Sequence, residues 1–71
     1  MSQEKLLGKY VMYLDKNEAT RIGRVRRVVG NKWVTVEMKY GRTVLFRQRV
    51  LTARIIKVKV RRKWVTVEEV S

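Results

Sequence analysis

The 71-residue chain predicts an all-β fold, a small barrel of five to six short antiparallel strands, on three observations. Apolar and polar residues alternate cleanly from Lys32 to Lys39, the period of a half-buried strand. Turn signals at Gly30-Asn31 and Tyr40-Gly41 close β-prone runs at short spacing. Pro is absent, so nothing interrupts the strands. A flat sheet would leave both edges open, and closing the sheet on itself removes that exposure.

The elements follow in order. Lys9 to Leu14 is a β-prone run that ends in the turn cluster Asp15-Lys16-Asn17-Glu18. Arg21 to Val29 is rich in Arg and Val and stops at Gly30-Asn31, a two-residue hairpin signal. Lys32 to Lys39 is the third strand and Thr43 to Gln48 the fourth, with Arg49 to Thr52 a short turn of 3₁₀ type. Arg54 to Val60 is the fifth, and Arg61-Arg62 lies between it and a sixth, Lys63 to Val70. Residues 1–7 hold a helical turn at most. The whole chain, 1–71, is read as one domain, with 8–60 the barrel core and 61–71 an extra C-terminal strand. A domain this small buries only about 60% of its unfolded surface, so its stability is expected to be modest.

Eighteen Lys and Arg stand against six Asp and Glu, a net charge of +12 with a pI of about 11.0. The charge is not a tail. Residues 21–63 hold fifteen cations and one acid, Glu37, while the remainder of the chain is slightly acidic. A folded, strongly cationic surface calls for a polyanion. Six acids cannot pair fifteen cations, so most of the latter are expected to be available.

Several classes are excluded by what is missing. Without Cys or His there is no disulfide, no thiolate nucleophile and no imidazole base or ligand. Glu68 and Glu69 are neighbours on a strand and point to opposite faces, so they make no carboxylate pair. No Gly-rich phosphate loop is present. We therefore expect no enzyme, no cofactor and no metal. No apolar run approaches 18 residues and no signal-peptide pattern is found, so a cytoplasmic protein without membrane contact is expected. Two Asn, two Gln and no Cys beside 34% charged residues would suit a thermophile.

Lys32-Trp33-Val34-Thr35-Val36-Glu37 recurs as Lys63-Trp64-Val65-Thr66-Val67-Glu68, each copy preceded by a basic strand and a turn. Duplication of a hairpin and convergence on one favourable β-sequence both explain it. Alternation places the two Val of each copy on one side and Trp, Thr and Glu on the other. In the fifth strand Ile56, Val58 and Val60 share a side, opposite Lys57, Lys59 and Arg61. Placing the Val sets inside turns Trp33, Thr35, Lys57, Lys59 and Arg61 outward; a one-residue slip would exchange the faces.

Outward Trp among cations suits nucleic acid: cations neutralise phosphates, and the ring stacks on a base or wedges into a groove. The candidate site residues are Arg24, Arg26 and Arg27, Lys32 and Trp33, Arg42 and Arg47, Lys57 and Lys59, and Arg61, Arg62, Lys63 and Trp64. Either Trp could equally fill the core or plug a barrel end. Arg predominates, and its planar fork suits phosphate and guanine edges.

The stretch from Ile22-Gly23-Arg24-Val25 through Gly30-Asn31 to Val36-Glu37 resembles a segment of the KOW-type and SH3-like barrels. There a Gly-x-Val strand turns at Gly-Asn and returns as an alternating Val strand. From Gly8-Lys9-Tyr10-Val11 to Arg49-Val50-Leu51 the chain also resembles small archaeal SH3-like domains, in which a short turn precedes the last barrel strand. The resemblance covers roughly residues 8–60 and implies a strongly bent five-stranded barrel that, in basic members, binds DNA or RNA. Small archaeal chromatin proteins are similar in size, charge and lack of Cys; no functional residue is carried over from them. The strand from Lys63 to Val70 departs from the five-strand plan, and either caps the barrel or offers an edge for a homodimer.

Three functions follow as expectations. The first is a sequence-tolerant binder of double-stranded DNA with an architectural, chromatin-like role on the nucleoid. The second is an RNA-binding or ribosome-associated protein of KOW type. The third is an interaction module that augments another sheet through its last strand.

Overall fold

The computed structural model describes residues 3–67, and these form a single antiparallel sheet of six strands in the order β4-β3-β2-β1-β5-β6. The strands are β1 (Tyr10–Leu14), β2 (Thr20–Val29), β3 (Trp33–Tyr40), β4 (Thr43–Leu51), β5 (Ile55–Val60) and β6 (Lys63–Thr66). Two 3₁₀ turns complete it, Gln3–Leu6 before β1 and Thr52–Arg54 before β5. The all-β expectation holds. The sixth strand was expected to run to Val70, and its part beyond Val67 lies outside the described residues.

The sheet coils round its core. β1 and β4 are three steps apart in strand order, yet the Tyr13 hydroxyl donates to Oε1 of Gln48 at 3.2 Å. Its Cα extents of 31 × 25 × 22 Å are too even for a flat sheet, whose pleat is only a few ångströms deep. Inside lie Val11, Tyr13, Val25, Val34, Val36, Val50, Ile55 and Val58, joined by Leu6 from the first 3₁₀ turn. Val28, Val60 and Val67 pack against them. The first turn therefore contributes to the core, which reaches beyond the expected 8–60 at both ends.

Three register shifts give the sheet its curvature, each leaving one extra residue on one strand. They fall at Arg26 on β2, Leu45 on β4 and Ile56 on β5. The last corrects the strict alternation expected of the fifth strand. Ile55 and Val58 are the buried pair, and Ile56 is 39% exposed because it has no partner on β1.

Other boundaries also move. The β2–β3 loop has three residues, Gly30, Asn31 and Lys32, since Val29 pairs with Trp33; the two-residue hairpin read from Gly30-Asn31 is one short. β4 continues to Leu51, so Arg49 is strand rather than turn, and the 3₁₀ turn begins at Thr52. Thr52 is tied to the β2–β3 loop through its N–H and hydroxyl, which both donate to the Lys32 carbonyl.

Two tight turns differ in comfort. Gly41 (φ +62°) and Arg42 lie between paired Tyr40 and Thr43, with glycine where a type II′ turn needs it. Between paired Val60 and Lys63 stand Arg61 (φ +49°) and Arg62 (φ +71°), both in the left-handed region. Positive φ at both positions is the type I′ pattern, which Asn-Gly adopts readily and which costs other residues about 1–3 kcal/mol each.

Gly23 pairs with Val11 of β1 and precedes Arg24, the residue of β2 that pairs with both β1 and β3. A β-carbon there would lie 3.2 Å from Cβ of Val36 and 3.4 Å from the Glu37 carbonyl oxygen. Gly23→Ala is expected to cost about 1–3 kcal/mol by overpacking. The check is the urea midpoint, which should fall with an unchanged m-value; an unshifted midpoint would mean that β3 yields freely.

Candidate nucleic-acid interface

The outer face of β2–β3–β4 is laid out in rows by its registers. Val29, Trp33 and Leu51 form the first row, Arg27, Thr35 and Arg49 the second, Arg24, Glu37 and Arg47 the third. Strands about 4.8 Å apart and rows about 6.8 Å apart put this patch near 10 × 14 Å. The bulge at Arg26 creates the density of charge. Without it, alternation after Val25 would turn Arg27 inward; with it, Arg26 and Arg27 both stay exposed, and half-buried Val28 packs against the core.

Trp33 is 37% exposed, with the Arg49 guanidinium carbon 6.0 Å from its ring centroid. That distance suits a cation–π contact. Beside the ring opens a cleft of about 190 Å³, walled by Leu14, Val50 and Leu51 and rimmed by Lys16, Arg49 and Arg54.

Glu37 organises the third row. It is 3% exposed, although it shares a face with Trp33 and Thr35 that was expected to be open, because cations cover it. Arg47 donates to Oε2 from Nη2 at 2.9 Å and from Nε at 3.2 Å, while Arg26 and Lys39 approach Oε1 at 3.4 and 3.5 Å. Burial alone would raise the Glu37 carboxyl, but the hydrogen bond from Arg47 and the charges of Lys39, Arg26 and Arg47 outweigh it and hold the group below the usual range. One carboxylate thus gathers three cations and leaves the cluster net positive.

Asp15 does a comparable job at the β1–β2 turn. Its Oδ1 accepts the N–H groups of Asn17 (2.8 Å) and Ala19 (2.9 Å), and its Oδ2 accepts from Arg21 Nε at 2.7 Å. The hydrogen bond from Arg21 is the main cause of a lowered carboxyl pKa, with the Ala19 N–H next. Both depressed carboxyls stabilise the fold above their unfolded values, near pH 4, and that stability is lost as pH falls through the lower folded values. Acid unfolding is therefore expected below about pH 4. Followed by circular dichroism, Glu37→Gln should be less stable at neutral pH and show a shallower acid dependence; an unchanged acid limb would remove Glu37 from this role.

The structure brings together Arg24, Arg26, Arg27, Trp33 and Arg47, with Lys32 in the loop beside Trp33. Arg42 stands apart at the β3–β4 tip near exposed Tyr40, roughly 23 Å along β3 from Trp33 at about 3.3 Å per residue. Lys57, Lys59, Arg61, Arg62, Lys63 and Trp64 belong to the β5–β6 hairpin. Arg49 also lies on this face, opposite Thr35, and is not among the residues expected from the sequence. The alternation Arg47-Gln48-Arg49 would have found it had the strand not been ended at Gln48.

No family model, curated protein or solved structure matches the chain. Its function must be read from its surface. Among the described residues no helix is long and apolar enough to cross a membrane, and no three acidic, His or Cys side chains gather as a metal site.

Proposed function

We propose that this chain is a non-enzymatic nucleic-acid-binding protein that holds double-stranded DNA, with little regard to sequence, on the outer face of β2–β3–β4. The observation that carries the reading is the exposed Trp33 at the head of rows of arginine, Arg27 and Arg49 and then Arg24, Arg26 and Arg47. The guanidinium groups meet phosphates and release counterions, and the Trp33–Leu51 edge supplies an apolar wedge for the groove. An architectural role on the nucleoid of a cytoplasm follows from such sequence-tolerant binding. The likeness to SH3-like and KOW-type barrels and to archaeal chromatin proteins belongs to the same proposal, and the helical turn before β5 is in keeping with it.

A second reading, RNA or ribosome binding, is favoured by one observation. The cleft of about 190 Å³ beside Trp33 is open to solvent and could admit an unpaired base beside the ring. A titration against duplex DNA, single-stranded DNA and structured RNA at several salt concentrations, read by Trp fluorescence, separates the two. Neutralising about six phosphates gives a log–log salt slope near −5 on duplex. Affinity for duplex that ignores salt, or far tighter binding of RNA, would overturn the DNA reading.

A further inference from the structure

The repeated Lys-Trp-Val-Thr-Val-Glu segment enters two different hairpins as their second strand, β3 after β2 and β6 after β5. The two copies do not share a register. Trp33 pairs with Val29 across a three-residue loop, whereas Trp64 pairs with Lys59 across a two-residue turn. Each nevertheless ends with its indole beside a cation. Lys59 Nζ lies 6.0 Å from the Trp64 ring centroid, as Arg49 Cζ lies 6.0 Å from that of Trp33. Two different local geometries thus arrive at one chemical arrangement.

We propose that the β5–β6 hairpin is a second nucleic-acid face, so that one chain holds two duplexes and bridges them. The inference rests on the nucleic-acid reading given above. On this hairpin Lys59 and Trp64 form one outer row and Lys57 and Thr66 the next. Its tip is the turn in which Arg61 and Arg62 both sit at positive φ. Two arginines in a turn that Asn-Gly would form without strain put charge at the tip at the expense of stability, as expected where the tip meets a ligand.

On the sheet the two faces are separated by one strand. β1 lies between them in strand order, and its outer residues Tyr10, Met12 and Leu14 carry no charge. Trp33 and Trp64 are four strand steps apart on a sheet coiled tightly enough for β1 to reach β4 across the interior. On this proposal the two indoles face different ways round this coil. Duplex DNA has a persistence length of about 150 base pairs, so on the same proposal a short straight duplex occupies one face at a time.

The test uses the full chain and a blunt duplex of about one helical turn, with stoichiometry from sedimentation and bridging from capture of a labelled duplex by an immobilised one. One variant removes the first face (Arg27→Ala with Arg49→Ala), the other the second (Lys59→Ala, Arg61→Asn and Arg62→Gly). The second variant should also melt at a higher temperature, because Asn-Gly relieves the turn, so loss of folding cannot explain its behaviour. The expected result is two duplexes per wild-type chain, one per chain in each variant, and capture lost in both. One duplex per wild-type chain, with both variants weakening that single site, would overturn the proposal. So would bridging that comes only from a homodimer with one duplex on each subunit. A wild-type chain that binds no nucleic acid at all would fail the underlying reading, a distinct result.

Discussion

Alanine at Arg24, Arg27 and Arg49 together is expected to lower affinity for duplex DNA roughly a hundredfold at 0.15 M salt, and to flatten the log–log salt slope by about 2.7. These three lie in the second and third rows of the β2–β3–β4 face and are not the cations gathered round Glu37. Each phosphate contact adds about 0.9 to the slope and about 0.7 log unit at that salt, which gives the hundredfold for three contacts. Trp33→Ala should behave differently. Loss of an aromatic contact costs about 1–3 kcal/mol, and because the ring carries no charge the slope should stay as it was. Arg42→Ala, at the far end of β3, is the control for generic loss of charge. If Arg42→Ala flattens the slope as much as each of the three does, the cations act as a diffuse cloud and the face has no special standing. Circular dichroism must accompany the triple variant, since Arg24 Nε also donates to the Gly8 carbonyl at 3.1 Å.

The division between what was legible in the sequence and what was not follows the range of the forces involved. Strand identity is local: alternation marks Trp33–Tyr40, and the turns at Gly41 and at Arg61-Arg62 stand where the chain must reverse. The inward face of the repeat was left open by alternation, since a one-residue slip exchanges the faces. In the first copy Val34 and Val36 are fully buried while Trp33 faces out, and in the second Trp64 and Val65 are both half-buried. The bulges were not readable, because an extra residue at Arg26 or Ile56 exists only relative to the strand opposite. That one non-local feature decides whether Arg26 and Arg27 can share the outer face, and whether Ile55 or Ile56 enters the core. Glu37 was misjudged for a related reason. Its strand position points it outward, and it becomes buried only because Arg26, Lys39 and Arg47 converge on it from three strands.

Tyr13→Ala is expected to leave the free protein largely unfolded at 25 °C. Tyr13 is the largest of the fully buried side chains, on the short central strand β1 that carries both β2 and β5. Truncating a buried aromatic costs about 3–5 kcal/mol. A core in a chain of this size rarely supplies more than about 3–5 kcal/mol in total, so the loss matches the whole. Tyr13→Phe separates ring from hydroxyl. It should cost only about 0.5–1.5 kcal/mol, the net value of the hydrogen bond to Gln48. It should also change the alkaline limb. Burial is the main cause that raises the Tyr13 hydroxyl above the ordinary phenol value, so the folded state holds its proton longer than the unfolded one. That contribution is complete below about pH 10 and is lost as pH rises through the folded value, and Tyr13→Phe should lack it. Duplex DNA ties this test of the fold to the test of function. A ligand of the folded state at a hundred times its Kd adds about 2.7 kcal/mol, enough to draw much of the Tyr13→Ala population back to the β signature in circular dichroism. Failure of duplex to restore that signature, alongside tight binding by the wild type, would mean that the binding chain need not be folded, and would detach the interface from the barrel that presents it.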